Sequence, residues 1–494
     1  MDVGQLRDDW REGRIGGEQL IEIIEVLWRR VEVLEKKLGV QASEKLELPF
    51  SVRAEEQRQE QRGQVQRRRK RTGRRGRIST AEKIKLAERT ERCFPTGVPD
   101  GVAESDCRLS HTRVVWRLEG NRAVLVAYEI YRAPSGRYGK IPGVPDRGEF
   151  GLEILMAVSY QVHQVGLSFD KVCQVLGFFT NLSLKKSQID ALLTRLARHW
   201  EGEFERLCTL VANAAVVHAD ETSWSLNSVW AILSEQARVL LFGVHKDAAT
   251  LAKLLDPATF AGILISDDAA VYGKFARAQK CWAHLLRKAI KLTLVAPDNA
   301  EYRRFTDRLL EIYREACRVQ RDGRLGDAGR AAKVATLEDE LVDLCGPMWF
   351  AELPKLDGPD DDYRLLCNEL MKLMLANELF TFVAAAPVTT PLGEVVAVAG
   401  TNNEAERTLR NPAQARATGR TNKTLTGARR RTIVVSVLES LRGFLPRFTL
   451  QSVIAEVHSW HAAGASCFEQ LLKKLGLSPP AHSILDKLYP APSG

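Results

Sequence analysis

The sequence predicts an α/β protein in which a helical insertion interrupts a catalytic core built around a β-sheet. The run ANAAVVHAD is typical of a buried strand, and a β-hairpin, a short helix (ATLAKLLD) and the apolar strand GILIS follow it. Helical periodicity runs from Leu152 to Trp200 and again from Asn299 to about Leu379. Glu406 follows Asp267 by 139 residues, which is too long for a connection, so the second helical stretch is predicted to be an inserted domain.

Composition narrows the class of protein. The 494 residues are 45% hydrophobic and 27% charged, as expected for a soluble protein of two to four domains. The net charge of +9 favours contact with a polyanion, which for a soluble chain is usually nucleic acid. No apolar run is long enough to cross a membrane, the N-terminus does not read as a signal peptide, and the nine scattered cysteines fit reduced thiols. We therefore expect a cytoplasmic protein with no membrane partner.

The expected order of regions follows from these shifts in pattern. They are a helical coiled-coil region for multimerisation (1–45), a basic DNA-binding linker (46–90), a small β-rich module (91–149), a helical region with helix-turn-helix proportions (150–205), the first part of the core (206–297), the helical insertion (298–395), the second part of the core (396–450) and a helical tail (451–494).

An apolar seam marks the first region. Its members recur at alternating spacings of four and three: Leu20, Ile24, Leu27, Val31, Leu34 and Leu38. About three heptads of this kind predict a coiled coil that pairs protomers into a homodimer or a higher oligomer. The alternative is an amphipathic helix that packs onto its own chain.

A basic segment follows the seam. Between Arg58 and Arg77 there are ten lysines and arginines against one acid, Glu60. Such a run cannot bury a core, and we expect it to bind the DNA backbone rather than remain a solvated tail. The cations that we assign to DNA here are Arg67, Arg68, Arg69, Lys70, Arg71, Arg74, Arg75 and Arg77.

The β-rich module contains the candidate zinc ligands Cys93, Cys107 and His111, which lack the close pairing of a structural zinc site. The run RVVWRLEGNRAVLVAYEIYRAPSG predicts a β-hairpin around Glu-Gly-Asn. In the helical region that follows, Ser168 and Ser183 are predicted N-caps, and Gly177 is predicted to end the middle helix. A helix-turn-helix and a plain bundle both fit this region.

Two aspartates lie at predicted strand ends. Strand alternation puts Val216, His218 and Asp220 on one face and Glu221 on the other. Asp267 directly follows the apolar run ILIS, and its neighbour Asp268 is expected to cap the next helix; whether Asp267 or Asp268 is the ligand stays open.

A helix near residue 402 supplies a third carboxylate. Thr401 and Glu404 fit a capping box, which places Glu406 in the second turn, on a face with Asn403 and Arg410. Three carboxylates would repel one another by roughly 4 kcal/mol per pair at 4 Å and an effective dielectric near 20, so a cation is expected. Asp220, Asp267 and Glu406 therefore predict two Mg²⁺ (or Mn²⁺) ions serving phosphoryl transfer.

Several residues near the three carboxylates have two possible roles. Tyr272 either positions DNA or Asp267, or belongs to the core, and Trp224 is more often core than a stacking platform. Asp247 is expected to be an ordinary cap. Cys281 and His284 are half of a zinc pattern without a second half nearby. We expect four residues near the carboxylates to contact DNA phosphate: His284, Arg287, Arg407 and Arg410.

The motifs HADETSW, SDDAAVY, KCWAHLLRK and NNEAERTLR, in this order, resemble those of the IS66-type DDE transposases of bacterial insertion sequences. The resemblance covers roughly residues 150 to 435. It implies an RNase H-like catalytic core with Asp220, Asp267 and Glu406 as the catalytic and metal-binding triad. Tyr272 matches the tyrosine after the second aspartate, and Cys281 and His284 match the family's Cys-x-x-His.

The resemblance also implies a reaction and partners. The enzyme would cleave the terminal inverted repeats of an insertion sequence and join the 3′-hydroxyls to target DNA, with small accessory proteins of the same element, in the bacterial cytoplasm at the nucleoid. The rivals are an RNase H-like nuclease that only hydrolyses, and a DNA-binding protein that no longer catalyses.

Overall fold

The computed structural model describes residues 79–95, 104–144, 148–351, 353–391 and 393–490, with scattered residues between 12 and 30. The chain divides into two units, Met1–Arg77 and Ile78–Gly494. In the first unit, the described residues at 17–19, 21–22, 25–26 and 29–30 are helical. The predicted seam from Leu20 to Leu38 and the basic segment from Arg58 to Arg77 lie outside the described residues, so both remain predictions.

The second unit is a mixed α/β structure. Its strands are β1 Arg89–Cys93, β2 Arg108–Glu119, β3 Arg122–Arg132, β4 Val216–Ser223, β5 Ser228–Leu233, β6 Arg238–Val244, β7 Ile263–Ser266, β8 Ala278–Lys280, β9 Val388–Thr389 and β10 Val395–Val396. Its α-helices are α1 Thr80–Lys85, α2 Leu152–His163, α3 Phe169–Thr180, α4 Lys186–Ala212, α5 Ala248–Ala252, α6 Trp282–Val295, α7 Ala300–Arg321, α8 Asp327–Phe350, α9 Pro359–Leu375, α10 Thr381–Ala384, α11 Asn403–Ala417, α12 Leu425–Phe444, α13 Leu450–Ala463, α14 Cys467–Lys474 and α15 Ile484–Leu488. Short 3₁₀ helices span Glu104–Asp106 and Ala270–Tyr272.

The predicted β-hairpin is confirmed. β2 and β3 pair antiparallel around a two-residue turn, in which Gly120 has φ +60°. β1 adds parallel to β3, which gives the order β1-β3-β2. Cys93 and His111 both lie opposite Ile130, on either side of β3, so about two strand spacings, roughly 10 Å, separate their backbones.

Two of the three predicted helix boundaries in the next region are wrong. Ser168 caps α3 by accepting a hydrogen bond from the Lys171 N–H, as predicted. α3 continues past Gly177 to Thr180 and ends at Asn181, whose φ of 55° is a left-handed cap that asparagine tolerates. α4 begins after Lys185 rather than after Ser183, and the Lys185 N–H donates to Gln188 Oε1.

A five-stranded sheet forms the centre of the unit, in the order β6-β5-β4-β7-β8. β4, β5 and β6 form an antiparallel meander, whereas β7 and β8 run parallel to β4. α5 lies between β6 and β7 in the chain, so the predicted succession of strand, hairpin, helix and strand is confirmed. Asp247 caps α5 by accepting from the Thr250 N–H at 2.7 Å, as expected.

Helices cover both faces of this sheet. Val217 and Ala219 belong to a hydrophobic cluster that includes residues of α2, α4 and α12. Val216, Ile263 and Ile265 belong to a second cluster, whose other members come from α6 to α10 and from the connection to α11. The helices inserted between β8 and α11 therefore share a core with the sheet.

α12 also binds the free edge of β6 through three buried hydroxyls. The pairs, each at 2.9 Å, are the Arg238 N–H with Ser440 Oγ, the Leu240 N–H with Ser436 Oγ and the Phe242 N–H with Thr432 Oγ1. Four helical residues rise about 6.0 Å and two strand residues about 6.7 Å, so hydroxyls one turn apart meet every second strand residue. The outer N–H groups of β6 are thus satisfied by a helix.

Candidate active site

The three predicted carboxylates lie around the carboxyl ends of β4 and β7. The register pairs Val216 with Ile263 and His218 with Ile265, and its continuation sets Asp220 beside Asp267. Strand alternation puts both aspartates on the face of the second hydrophobic cluster. α11 packs against β4 and β5 and carries Glu406 in its first turn rather than its second.

Asp220 is the most perturbed of the three. Burial, followed by the negative charge of Glu221, raises the pKa of Asp220 to about 7, and the charges of Asp267 and Glu406 add to the rise. The Glu221 N–H donates to Asp220 Oδ1 at 2.9 Å and opposes the shift. Within the part of the chain that the structure describes, no lysine or arginine forms an ion pair with Asp220. The ionised Asp220 carboxylate is therefore not neutralised by an ion pair with the described residues.

Asp267 is fixed by the turn that follows β7. Its Oδ1 accepts from the Ala269 N–H at 3.1 Å, and its carbonyl accepts from the nearly buried ammonium of Lys280 at 3.3 Å. The prediction that Asp268 caps the following helix is wrong: the residue before that 3₁₀ helix is Ala269, and Asp268 is exposed. The turn uses the Asp267 carboxylate instead.

Glu406 is held by Arg287 of α6 and lies beside His284 of the same helix. Arg287 Nη2 lies 2.7 Å from Glu406 Oε1, and His284 Nδ1 lies 3.5 Å from the same oxygen. The predicted Thr401–Glu404 capping box is wrong, because α11 begins after Asn402 and the Glu404 side chain pairs with Arg238. Glu404 and Glu406 nevertheless face different partners, as their spacing predicts.

Asn402 ties the start of α11 to the sheet and to α6. This fully buried side chain donates to the Ala219 carbonyl at 2.8 Å, and its Oδ1 lies 3.2 Å from His218 Nδ1. Its backbone N–H donates to Cys281 Sγ at 3.1 Å. Sequence reasoning missed Asn402, although its place directly before the acidic first turn of α11 was a signal. His218 is a packed strand residue, as expected, and burial lowers its pKa.

Comparison with known proteins bears on one part of the chain. Residues 147–353 match the model of the transposase IS66 family. This match identifies an IS66-type transposase domain in that part of the chain. The matched residues contain β4, β7 and α6, with Asp220, Asp267, Cys281 and His284, whereas Glu406 lies beyond them. No curated protein matches the chain.

A second network lies beneath the candidate site. Glu221 projects to the opposite face from Asp220, as predicted, and is buried there. The Tyr272 hydroxyl donates to the Glu221 carboxylate, and Lys246 Nζ lies 2.7 Å from it. Burial, followed by the charge of Glu221, raises the pKa of Tyr272, which therefore remains a donor. Tyr272 is thus a buried partner of Glu221 rather than a group that reaches DNA or Asp267.

The predicted DNA contacts fall into two groups. Arg287 is engaged by Glu406, and His284 lies beside it. Arg407 and Arg410 are exposed on α11 and form no hydrogen bond or ion pair with the described residues. These two arginines can meet a phosphate without first giving up a contact to Glu406. Sequence reasoning missed Lys246 and Lys280, although Lys280 directly precedes Cys281 in the recognised KCWAHLLRK motif.

Trp224 belongs to the core, as expected. It is 5% exposed, packs edge-on to Phe242 at 5.3 Å between ring centroids, and lies under the Arg431 guanidinium at 5.0 Å. The alternative that it stacks on an unpaired nucleotide has no exposed ring face to support it.

The half zinc pattern of Cys281 and His284 acquires a third member. Sequence reasoning found no further ligand near Cys281 and His284, but the structure brings Glu406 to them from α11. Burial, followed by the charge of Arg287, lowers the pKa of His284, so the imidazole is neutral at pH 7. In the described part of the chain, no helix is long and apolar enough to cross a membrane.

Proposed function

We propose that this protein is a DDE transposase that cleaves insertion-sequence ends and joins the 3′-hydroxyls to target DNA. One observation carries the proposal: the charges of Asp267 and Glu406 both reach Asp220, at neighbouring strand ends under α11. Carboxylates from two strands and a helix are the donor set expected for metal-assisted phosphoryl transfer.

The strand order supports an RNase H-like core. An antiparallel meander followed by two parallel strands, in the order β6-β5-β4-β7-β8, places the first and fourth strands side by side in the centre. Ligand and catalytic groups in sheets of this kind gather at the carboxyl ends of the central parallel strands. Asp220 and Asp267 occupy those ends.

The residues present fit divalent cations. Asp220, Asp267 and Glu406 offer hard oxygen donors, and the pKa of Asp220 is raised first by burial and then by the neighbouring negative charges, which a bound cation would offset. These three residues would hold Mg²⁺ or Mn²⁺, with two ions expected. When bound, the ions neutralise developing charge and activate the attacking oxygen.

The chain's own residues supply positioning. Tyr272 and Lys246 hold Glu221 and so fix the end of β4 beneath Asp220. Lys280 holds the Asp267 carbonyl, and Asn402 holds the start of α11. Because little covalent chemistry is asked of the protein in phosphoryl transfer, this positioning is its main contribution.

DNA binding would involve several surfaces. The exposed Arg407 and Arg410, together with His284 and Arg287, are proposed to contact phosphates of the element's terminal inverted repeats or of the target. The basic segment from Arg58 to Arg77 would add affinity without sequence choice, and the seam from Leu20 to Leu38 would pair protomers. Small accessory proteins of the same element are proposed partners.

The test is strand transfer of labelled element-end DNA into a plasmid, with Mg²⁺ or Mn²⁺ and the accessory proteins present. Glu406→Gln, Asp220→Ala and Asp267→Ala should each lower joined product at least about a hundredfold, since each removes a group aimed at the reacting centre. DNA binding in a gel-shift assay should stay nearly unchanged.

Glu404→Gln is the matched control, because Glu404 lies on the same helix but pairs with Arg238 instead. It should keep joining activity. A triad variant that still joins DNA would remove that residue from the site. Cleavage without joining in the unsubstituted protein would establish a nuclease, and binding with neither reaction would indicate a DNA-binding protein that no longer catalyses.

A further inference from the structure

We propose that Cys281, His284 and Glu406 form a zinc-binding site that competes with the catalytic cations for Glu406. The binding is inferred from the geometry of these three side chains alone. Its inhibitory consequence rests on the proposed function, in which Glu406 serves the reaction.

The three ligand atoms are already gathered. A sulfur of Cys281, a ring nitrogen of His284 and a carboxylate oxygen of Glu406 lie within 4.8 Å of one another. Cys281 is the residue before α6 and His284 lies in its first turn, so their spacing of three brings them to one side of the helix. Glu406 reaches them from the first turn of α11.

One hydrogen bond positions the Cys281 sulfur, and the His284 ring nitrogen is left available to a metal. The Asn402 N–H donates to Cys281 Sγ at 3.1 Å, which links the sulfur to the start of α11. His284 Nδ1 is shielded from solvent and has no hydrogen-bond partner in the described part of the chain. A buried polar nitrogen without a partner is costly, and a metal would satisfy it.

The ligand types select the metal. A thiolate and an imidazole favour Zn²⁺ and disfavour Mg²⁺, which prefers oxygen ligands alone. Three protein ligands leave the fourth tetrahedral position for water or another oxygen donor. Burial raises the pKa of the Cys281 thiol, but a coordinated thiol loses its proton to the metal's charge.

Glu406 links this site to the reaction. Its charge contributes to the environment of Asp220 on one side and of Cys281 on the other. A carboxylate drawn to zinc beside Cys281 and His284 is no longer offered to Mg²⁺ beside Asp220 and Asp267. Zinc would therefore inhibit strand transfer by withdrawing Glu406.

Cobalt titration of the full chain, without DNA, tests the binding. Co²⁺ takes the same ligands as Zn²⁺, and a cobalt–thiolate bond absorbs in the near ultraviolet. We expect this absorption to saturate at one Co²⁺ per chain and to be abolished by Zn²⁺. Cys281→Ser should remove it, and His284→Gln should weaken the cobalt affinity at least about tenfold, with folding checked by circular dichroism.

Cys367→Ser is the matched control, because Cys367 is also buried but lies in α9 away from this group. It should keep the absorption. No cobalt–thiolate absorption in the unsubstituted chain, or an unchanged one in Cys281→Ser, would overturn the site. His284→Gln keeps the test decisive if the cysteine variant does not fold.

Zinc titration of strand transfer at fixed Mg²⁺ tests the competition. Zinc should inhibit the unsubstituted protein, and Cys281→Ser should need at least about ten times more zinc for the same fractional inhibition of its own activity. Cobalt binding without zinc inhibition would overturn the competition for Glu406. Loss of strand transfer in every sample would instead contradict the proposed function, while the cobalt result would still decide the site.

Discussion

At the residue scale, the neighbours Asp220 and Glu221 have opposite roles in one strand. Their alternation was predictable, because adjacent strand residues point to opposite faces. The long-range partners of the site's carboxylates were not predictable. Tyr272 contacts Glu221 across 51 residues of chain, and Arg287 contacts Glu406 across 119. Sequence periodicity carries no information on such long-range contacts. The placement of the three carboxylates on two strand ends and a helix start was predictable from the motifs that contain them, while their catalytic role stays a proposal.

The high pKa of Asp220 makes stability depend on pH. The carboxyl has a pKa of about 7 in the native state and 3.8 as its ordinary value, so between about pH 4 and pH 7 the native state binds more protons than the unfolded state. The free energy of unfolding should therefore fall as pH rises through this window, and the cost should be fully present above pH 7. Below about pH 4 the carboxyl is protonated in both states, and this cost is absent.

Asp220→Asn should remove that cost. In urea unfolding with a chelator present, we expect the variant to exceed the unsubstituted protein by up to about 4 kcal/mol at pH 8 and to differ little at pH 4. Asp268→Asn, at the exposed neighbour of Asp267, should change the unfolding free energy by less than about 0.5 kcal/mol. A gain that does not vary with pH would contradict the explanation.

At the element scale, local signals predicted strands better than helix ends. Strands β2 to β7 fall on apolar or alternating runs of the sequence, but the predicted caps at Ser183 and Thr401 are overridden. Asn402 precedes α11 with its side chain directed to the Ala219 carbonyl, so tertiary contacts rather than a capping box set that helix start. The hydroxyls of α12 recur every four residues in TIVVSVLES, yet the sequence does not reveal which strand they meet.

Ser436→Ala tests the bond between α12 and β6. The change leaves the buried Leu240 N–H without a partner, and we expect it to lower the unfolding free energy by about 1–3 kcal/mol in denaturant titration. Ser459→Ala is the control, since Ser459 is exposed on α13 and its hydroxyl bonds only within that helix. Equal effects of the two substitutions would show that the Leu240 bond contributes nothing specific.

At the scale of the whole molecule, the sequence predicted inserted helices and a nucleic-acid partner, but not the surfaces through which they contact the rest of the protein. The long spacing between Asp267 and Glu406 predicted inserted helices, and helices α7 to α10 lie there. These helices share a hydrophobic cluster with Ile263 and Ile265 of the sheet. This packing could not be predicted, because neither segment alone determines which distant apolar face it packs against. Net charge predicted a nucleic-acid partner but no surface for it.

The basic segment should dominate the salt dependence of DNA binding. Replacing Arg67, Arg68, Arg69, Lys70 and Arg71 by glutamine should reduce the slope of log affinity against log salt by about 0.9 for each phosphate that is no longer neutralised, or up to roughly 4–5. Fluorescence anisotropy at several salt concentrations measures the slope. Arg308, Arg318 and Arg324, which pair with acidic neighbours in and beside α7, provide the control substitutions. An unchanged slope in the five-residue variant would exclude the segment from the DNA.

The hydroxyls that α12 presents to β6 also limit how the molecule can assemble. An unpaired strand edge is a template on which another chain can add a strand. Here the outer N–H groups of β6 are taken by α12, and at the opposite edge the Lys280 N–H donates to the Glu378 carbonyl at 2.7 Å. Neither edge of the central sheet offers a free ladder, so copies of this protein cannot join by extending that sheet. The homodimer or higher oligomer proposed above would therefore be built away from the edges of that sheet.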